Sequence, residues 1–463
     1  MDAELIANIS AGFSAVLFSP LAWLIILLGV VLGMIVGILP GFGPPAAMAL
    51  LFPIVYVLEP LQAVSLLAGI FYGAKYGGAV TSIIMGIPGE TDAVATLLEG
   101  YPLCRAGKAK LALMLATISS FIGGMLATLG LVLLAPILTF LALFLGPAGR
   151  FALIVASLVL ISTLGQGKPL KNFCMVFLGL TLALIGLDPI YGSSRLVFGS
   201  WRLFGGVDLT AMLLGCFGLG EILSILVLQP MTTTPHAVTE KIATNVPPLR
   251  KGAAFGAALR GTILGFGVGL VPSGAGMTAS FASYALEKKL SPNPEYFGKG
   301  AWTGLAGPEA SNNAVAIAAF APLLLLGLPT NPVMAALLGS LTVSGVVPGP
   351  FLPSQQPMFY WGFIISLVIG NIALLGLGLA LAGVWAKLAT LEYRVIWPPV
   401  LILCLLGSYL STNGLDGSFQ CLLFGLGTVF LRRSGFSPAP MVLAFVLGPS
   451  LEVYFMQGLL SGF

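Results

Sequence analysis

Apolar runs as long as a membrane span follow one another along this chain of 463 residues, separated by short polar stretches. A helix needs about 20 apolar residues to cross a bilayer. Long runs lie at residues 13–39, 111–145, 151–164, 172–187, 209–228 and 358–385, with shorter ones at 60–76 and 79–87. The pattern predicts an all-α, polytopic membrane protein with roughly eleven to thirteen crossing or re-entrant helices.

One segment of this pattern occurs twice. Residues 29–60 and 261–292 agree, without a gap, at nine positions that include the glycines at every fourth residue and the proline that follows them. The first copy begins GVVLGMIVGILPGFG and the second begins GTILGFGVGLVPSGAG. In lipid, a broken helix is tolerated only where it is buried in protein or lines a cavity. Two matching breaks therefore predict the binding site of a secondary transporter.

The distribution of charge predicts the orientation. Lys and Arg gather in loops at residues 105–110, 168–171 and 240–260, whereas the N-terminus carries Asp2 and Glu4. Basic loops stay cytoplasmic. Two spans are predicted between each consecutive pair of these loops, so all three loops can lie on the cytoplasmic side. The N-terminus then lies outside, and the two copies enter the membrane from opposite sides.

We therefore predict two inverted-topology repeats with re-entrant helical hairpins. The first half, residues 1–250, would hold repeat 1 with its core at 20–130. The second half, residues 251–463, would hold repeat 2 with its core at 255–350, followed by C-terminal scaffold helices.

Composition narrows the function classes. The chain is 58% hydrophobic and 8% charged, whereas soluble domains carry roughly 25% charged residues. It has no G-x-x-x-x-G-K-[ST], H-E-x-x-H or G-x-S-x-G motif, a single histidine and five scattered cysteines. A P-loop ATPase is excluded, and an enzyme is not expected. A channel and a lipid-modifying membrane enzyme stay as alternatives to a transporter.

Polar residues at the breaks are the candidate ligands. The tips expose backbone amides at a helix N-terminus, which attracts anions, and Lys75 adds a cation inside a membrane segment. Hydroxyl and amide side chains suit a carboxylate or Na⁺. The residues predicted to bind substrate on these grounds are Gly41, Phe42, Gly43, Lys75, Ser273, Gly274, Ala275, Gly276, Asn312, Asn313, Thr330 and Asn331. A Na⁺ ion is placed at Ser311, Asn312, Asn313 and Thr330.

Structural explanations compete with each of these assignments. The tips could be plain Gly-Pro turns, and Lys75 could snorkel to the interface. Residues 90–92 could cap a helix, and the asparagines could only cross-link helices. Glu309 could be a carboxylate for Na⁺ or H⁺, or an ordinary residue at a helix start.

Long motifs in the chain resemble the TctA family, the large permease subunit of tripartite tricarboxylate transporters. They are GILPGFGPPAAMALLFP, AGIFYGAKYGGAVTSIIMGIPGE, LEGYPLCRAGKAKLAL and GLVPSGAGMTASFASYALEKKLSPNPEYFGKGAWTGLAGPEASNNAV. The resemblance covers nearly the whole chain. One departure is Leu328-Pro329-Thr330, where the family usually has Ile-Pro-Gly.

The resemblance implies import of citrate or related carboxylates, by symport with Na⁺ or H⁺ and without any other cofactor. It implies an elevator mechanism, a bacterial inner-membrane location, a small TctB-like membrane subunit and a periplasmic TctC-like binding protein. By analogy, Tyr76, Gly77 and Gly89 join the substrate site. No nucleic acid is expected as a partner, and the sequence leaves a monomer and a homodimer open.

Overall fold

The computed structural model of the chain describes residues 3–39, 43–165, 167–188, 190–228, 246–272, 276–388 and 393–461. The first half contains α1 (Ala3–Leu17), α2 (Pro20–Ile38), α3 (Pro44–Leu51), α4 (Pro60–Met85), α5 (Val94–Leu103), α6 (Ala109–Phe144), α7 (Gly146–Leu164), α8 (Pro169–Ala183), α9 (Leu209–Leu213) and α10 (Gly220–Leu228). The second half contains α11 (Lys251–Gly269), α12 (Gly276–Leu290), α13 (Trp302–Ala318), α14 (Phe320–Leu326), α15 (Pro332–Val343), α16 (Leu352–Gln355), α17 (Pro357–Ala380), α18 (Ala382–Leu388), α19 (Tyr393–Thr412), α20 (Leu415–Arg433) and α21 (Ala439–Ser461).

Eight of the described helical segments are long and apolar enough to cross a membrane. They are Pro20–Ile38, Pro60–Met85, Thr91–Phe144, Gly146–Leu164, Leu209–Val227, Trp302–Leu326, Pro357–Ala380 and Ala439–Leu460. Large apolar side chains such as Phe140, Phe177 and Phe430 stay exposed on the outer faces. Such a surface suits lipid and not water. The protein is a multi-pass, all-helical membrane protein, as its pattern predicts.

A short loop between α8 and α9 carries β1 (Gly186–Leu187) and β2 (Ser194–Arg195), which pair antiparallel. Arg195 fixes this loop to α21, because its guanidinium donates to both carboxylate oxygens of Glu452, at 2.8 and 3.1 Å. The N–H of Ile190 donates to Asp188 Oδ1 at 2.7 Å. This bond and the nearby Arg195 lower the pKa of the Asp188 carboxyl.

Glycines bring α2 and α4 into backbone contact at the centre of the protein. A methyl group at Gly29, Gly33 or Gly37 would lie 2.6, 2.4 or 2.2 Å from the carbonyl oxygen of a residue on α4. Those residues are Leu66, Ile70 and Ala74, spaced by four like the glycines. Small residues at a helix interface allow the close approach that drives packing in lipid.

The second copy of the glycine pattern packs in the same register. Gly261, Gly265 and Gly269 on α11 lie against the carbonyl oxygens of Gly307, Ser311 and Val315 on α13, where a methyl group would be 2.1, 2.3 or 2.7 Å away. The sequence repeat therefore corresponds to a repeated helix pair, α2 with α4 and α11 with α13.

The partner helices of the two pairs also end alike. Gly86 caps α4 with φ +70°, and Gly327 caps α14 with φ +68°. Gly86 follows Ala74 by twelve residues, as Gly327 follows Val315. The left-handed conformation at each cap favours glycine. Among the described residues, each half thus has one break after its glycine-rich helix and one after the partner segment, which in the second half is α13 continued by α14.

Two predicted elements are wrong. The run at residues 13–39 is divided into α1 and α2, because Ser19 caps α2 by accepting the N–H of Ala22 at 3.2 Å and Pro20 begins the new helix. The runs at 60–76 and 79–87 form one helix, α4. Gly77 does not break this helix; it packs against α2, where a methyl group would lie 2.6 Å from Met34 O.

We predict that Gly33→Ala destabilises the protein by about 1–3 kcal/mol or more, because the new methyl group would overlap Ile70 O and force α2 from α4. Thermal unfolding of the purified protein would show a lower Tm. Gly376→Ala on α17 is the matched control, since its methyl group meets nothing within 4 Å. An equal Tm for the two variants would contradict the proposed packing.

Candidate functional site

All four helix breaks reach one cavity of about 560 Å³. The break after α2 contributes Gly43, and the break after α11 contributes Gly276. The break after α4 contributes residues 88–92, and the break after α14 contributes Thr330 and Asn331. Folding therefore brings together four segments that are spread over most of the sequence.

The opposite wall of this cavity is built by α7, α10, α20 and α21. Arg432 donates to both carboxylate oxygens of Glu221, with Nη1 at 2.8 Å from Oε1. Beside this pair, Phe436 lines the cavity and lies under the ammonium of Lys171 at 4.9 Å from the ring centroid. Lys171 also donates to Ser434 O at 2.5 Å. The cavity thus borders the basic loop that contains Lys171.

A second cavity of about 630 Å³ lies between α1, α2, the start of α4 and α17. Its lining includes the amide side chains of Gln62, Gln355 and Gln356 and one carboxylate, Glu59. None of the described residues at the four helix breaks lines it. The first cavity is therefore the better candidate for the functional site.

A buried ion cluster occupies the first cavity. Lys75, in the middle of α4, is only 5% exposed. Its ammonium lies 3.0 Å from Glu90 Oε2 and also donates to Asp92 Oδ2. Glu90 Oε1 accepts a hydrogen bond from Asn312 Nδ2 at 3.0 Å. One cation faces two carboxylates, so the cluster carries a net negative charge when all three groups are ionised.

The Asp92 carboxylate also sits against the first residue of α12. A methyl group at Gly276 would lie 2.1 Å from Asp92 Oδ2. Unsatisfied N–H groups and the helix dipole favour an anion at this end of a helix. Asp92 therefore occupies a position between Lys75 and α12 that favours a carboxylate.

The N-terminus of α3 offers fewer donors than the sequence suggests. Its first residues, Pro44 and Pro45, have no N–H, and the N–H groups of Ala46 and Ala47 both lie within bonding distance of Gly43 O, at 3.0 and 3.2 Å. Asn331 caps α15, because its Oδ1 accepts the N–H of Met334 at 3.0 Å. Of the two helix N-termini predicted to attract an anion, the one at α12 is therefore the better candidate among the described residues, and the one at α3 is not.

Another polar cluster lies behind the cavity. Glu309 Oε1 accepts from Ser120 Oγ at 2.6 Å, and Oε2 accepts from Thr96 Oγ1 at 2.8 Å. Asn313 Nδ2 donates to Ser120 O at 2.6 Å and lies 3.5 Å from Asn371 Oδ1. These residues join α5, α6, α13 and α17 by polar contacts in the protein interior.

The structure separates the predicted site residues into three groups. Lining the first cavity are Gly43, Lys75, Gly89, Gly276, Thr330 and Asn331. Buried away from its lining are Tyr76, Gly77, Ser311, Asn312 and Asn313. Outside the described residues are Gly41, Phe42, Ser273, Gly274 and Ala275. Binding of substrate or Na⁺ by any of them stays a prediction.

The structure distinguishes between several alternatives that the sequence leaves open. Lys75 is buried and does not snorkel to an interface, and its ammonium is already paired with Glu90 and Asp92. Glu90 and Asp92 bind Lys75, and Glu90 gives no side-chain cap to the helical turn that follows it. Glu309 lies in the middle of α13 and not at its start. Tyr76 donates to or accepts from Thr117 Oγ1 at 2.8 Å, away from the cavity.

Neither Glu221 nor Arg432 is among the site residues predicted from the sequence. Glu221 lies within the apolar run at 209–228, and a charged residue inside a membrane segment is a functional hypothesis by default. That criterion would have selected Glu221. Its pairing with Arg432, 211 positions away, has no local sequence pattern.

Comparison with known proteins identifies the family. Residues 23–443 match the profile of the Tripartite tricarboxylate transporter TctA family.

The chain belongs to the TctA family. Every residue that lines the first cavity, from Gly43 to Leu443, lies inside the range that matches the TctA profile. TctA proteins are transporter components and are not a family of enzymes.

Two relatives of this TctA protein come from Agrobacterium vitis. An uncharacterized 52.8 kDa protein in the TAR-I ttuC' 3' region is 40% identical over 460 residues, which cover 99% of this chain and 90% of that protein. An uncharacterized protein in the TAR-II ttuC' 3' region is 43% identical over 193 residues, which cover 42% of this chain and 80% of that protein. No solved structure gives a significant match.

We predict that Lys75→Met destabilises this TctA protein by about 3–5 kcal/mol, because it leaves the buried Glu90 and the largely buried Asp92 without their cation. Thermal unfolding would show a large loss of Tm, and adding Asp92→Asn would recover part of it. Arg202→Met is the matched control, because Arg202 and Asp416 form an exposed pair whose loss should cost about 1 kcal/mol or less. Equal losses for Lys75→Met and Arg202→Met would contradict the buried cluster.

Proposed function

We propose that the protein is the permease subunit of a secondary transporter that imports tricarboxylates or related organic carboxylates. The observation that carries this proposal is the meeting of four helix breaks in one charged cavity within a membrane protein of the TctA family. Broken helices in the membrane supply backbone and side-chain ligands that intact helices cannot supply. The cavity volume of about 560 Å³ is in the range of small-molecule sites.

The carboxylate of Asp92 marks the position proposed for a substrate carboxylate. It already lies between the Lys75 ammonium and the start of α12. A substrate carboxylate that displaced Asp92 would gain the same cation and the same helix N-terminus. Arg432, which also lines the cavity, adds a second cation for a substrate with more than one carboxylate.

The charge of the cavity supports coupling to a cation. Lys75 and Arg432 face Glu90, Asp92 and Glu221, so ionised groups on the walls sum to a net negative charge. A polycarboxylate anion would add negative charge in a poorly solvated space, which is costly without a compensating cation. Na⁺ or H⁺ bound with the substrate would offset that cost. Ser311, Asn312, Asn313 and Thr330 are the residues proposed for Na⁺.

The proposed mechanism is alternating access by an elevator motion of two inverted repeats. The matching glycine registers and helix caps of the two halves support the repeat. With basic loops cytoplasmic and the N-terminus periplasmic, the cavity near Lys171 and Arg432 would open toward the cytoplasm. This conformation would then be inward-facing.

The protein is proposed to work in the bacterial inner membrane with two partners. The name of the TctA family describes a tripartite transporter, which implies a small TctB-like membrane subunit and a periplasmic TctC-like protein that delivers the carboxylate.

Uptake into proteoliposomes tests the proposed function. The chain would be reconstituted with its small subunit and binding protein, and labelled citrate and C4-dicarboxylates would be supplied under separate Na⁺ and pH gradients. We expect unchanged carboxylate to accumulate above its equilibrium level under one gradient. Equilibration without accumulation would indicate a channel, and a chemically altered product would indicate an enzyme; either result would contradict the proposal.

We predict that Asp92→Asn lowers the apparent KM for the carboxylate about tenfold. The variant would no longer repel the substrate carboxylate or compete with it for Lys75, and a gain of about 1.4 kcal/mol in binding free energy corresponds to a tenfold change. Lys75→Met should raise the KM instead. Asp416→Asn, which removes a carboxylate from an exposed ion pair, is the control and should leave the KM unchanged. A KM that Asp92→Asn leaves unchanged or raises would rule out the proposed position of the substrate carboxylate.

A further inference from the structure

Glu309 is a membrane-embedded carboxylate without a cation partner. It is 1% exposed and lies in the middle of α13. Its two oxygens accept hydrogen bonds from the hydroxyls of Ser120 and Thr96, and no Lys or Arg of the described chain forms an ion pair with it. A lone carboxylate at such a depth is costly and is normally compensated by a cation.

Three other charged groups near α13 already have ionic or hydrogen-bond partners. Glu287, which lies beside Gly307, forms two hydrogen bonds with Arg260 at 2.7 and 2.8 Å. Glu99, which lies beside Gly304, accepts from Tyr284 and from three N–H groups of the loop at 298–301. Lys75 is taken by Glu90 and Asp92. The uncompensated charge on this helix is therefore that of Glu309.

Unpartnered oxygen atoms lie on the same helix face. Asn312 and Asn313 follow Glu309 by three and four residues, which places all three on one side of α13. These asparagines are 0% and 2% exposed, and the Oδ1 atom of each has no hydrogen-bond partner among the described residues. Buried polar atoms are seldom left unsatisfied in native proteins. Both atoms are acceptors, so a cation could satisfy them and a further acceptor could not.

Neighbouring helices place Glu309 and Asn313 side by side. Ser120 bonds to both, through Oγ to Glu309 at 2.6 Å and through its carbonyl oxygen to Asn313 at 2.6 Å. Gly124, one turn further along α6, leaves room for two amides, because a methyl group there would lie 1.9 Å from Asn371 Oδ1 and 3.0 Å from Asn313 Nδ2. The Glu309 carboxylate, the Asn313 amide group, Asn371 Oδ1 and the Ser120 oxygens thus meet where α6, α13 and α17 pack together.

We propose that Glu309, Asn313, Asn371 and Ser120 form a sodium site, which shares Asn313 with the residues proposed above for Na⁺ and in which Glu309 supplies the balancing charge. One carboxylate and several neutral oxygens suit a monovalent cation, because a divalent ion would leave a net positive charge in the membrane. No group of three or more acidic, His or Cys side chains among the described residues would suit such a divalent ion. A proton on Glu309 would neutralise the carboxylate but would leave the Asn313 oxygen unsatisfied.

The site lies behind the cavity and shares α13 with it. Asn312, next to Asn313, donates to Glu90 in the cavity wall at 3.0 Å. A sodium ion held by α13 is therefore one residue from a contact with the Lys75 cluster. The role of this site in coupling rests on the proposed transport function, but sodium binding by the site does not.

Binding of radioactive sodium to the purified full chain in nanodiscs, without carboxylate or partner subunits, tests the inference. We expect saturable binding that unlabelled Na⁺ displaces and choline does not. Glu309→Gln, which keeps the shape but not the charge, should abolish it. Ser120→Ala removes the hydroxyl that orients Glu309, and Asn371→Ala removes a proposed sodium ligand. Each variant should weaken sodium binding about tenfold or more. Glu452→Gln, which removes a carboxylate bonded to Arg195, should bind like the wild type.

A second readout separates binding from folding. Na⁺ should raise the Tm of the wild type, since a ligand of the folded state stabilises it, and should leave the Tm of Glu309→Gln unchanged. If Glu309→Gln does not fold, the sodium affinity of the Ser120→Ala variant tests the proposed site instead. Absence of saturable binding by the wild type, or wild-type affinity in the Glu309→Gln or Ser120→Ala variant, would overturn the proposal. Failure of carboxylate uptake with sodium binding intact would contradict the proposed function alone.

Discussion

Backbone polar groups inside a bilayer must find partners within the protein, and this requirement governs where the chain can interrupt its helices. The four breaks lie at one cavity, away from the lipid-facing surface on which Phe140 and Phe430 stand. Enclosing them requires helices that approach closely around them. The glycines of α2 and α11 provide this approach, since a single methyl group at most of these positions would meet a carbonyl oxygen of the partner helix. Close packing and interrupted helices thus depend on each other.

The low dielectric of the membrane interior also makes each charged group near the breaks costly unless an opposite charge compensates it. Lys75 is buried with two carboxylates, Arg432 is held by Glu221, and Glu309 has only hydroxyl partners. In water such an imbalance would matter little, but in a membrane interior it is expensive. Bound cations and displaced ion pairs are the means by which a protein can restore the balance. The proposals for Asp92, beside Lys75 of α4, and for Glu309 of α13 both follow from the cost of an unbalanced charge in the membrane interior.

Local sequence patterns succeeded where the physical cause is itself local. Long apolar runs identified most membrane helices, and the Gly-Pro interruptions after α2 and α11 marked real helix ends. The same reasoning failed at Ser19-Pro20, where a helix cap lies inside a continuous apolar run, and at Gly77, which packs against α2 and does not end α4. A glycine that ends a helix and a glycine that admits a neighbouring helix look the same in sequence, because only the neighbour distinguishes them.

Sequence alone determined the membrane class, the doubled glycine pattern, the helix breaks and the resemblance to TctA proteins, because hydropathy, proline and glycine act on the chain within a few residues. It also selected Lys75, Thr330 and Glu309 as residues of interest. Tertiary structure alone decided that Lys75 is paired with Glu90 and Asp92, that Arg432 meets Glu221, and that Glu309 and Asn313 both bond to Ser120. These partners come from helices distant in sequence, and the net charge of a site depends on which of them packing brings together.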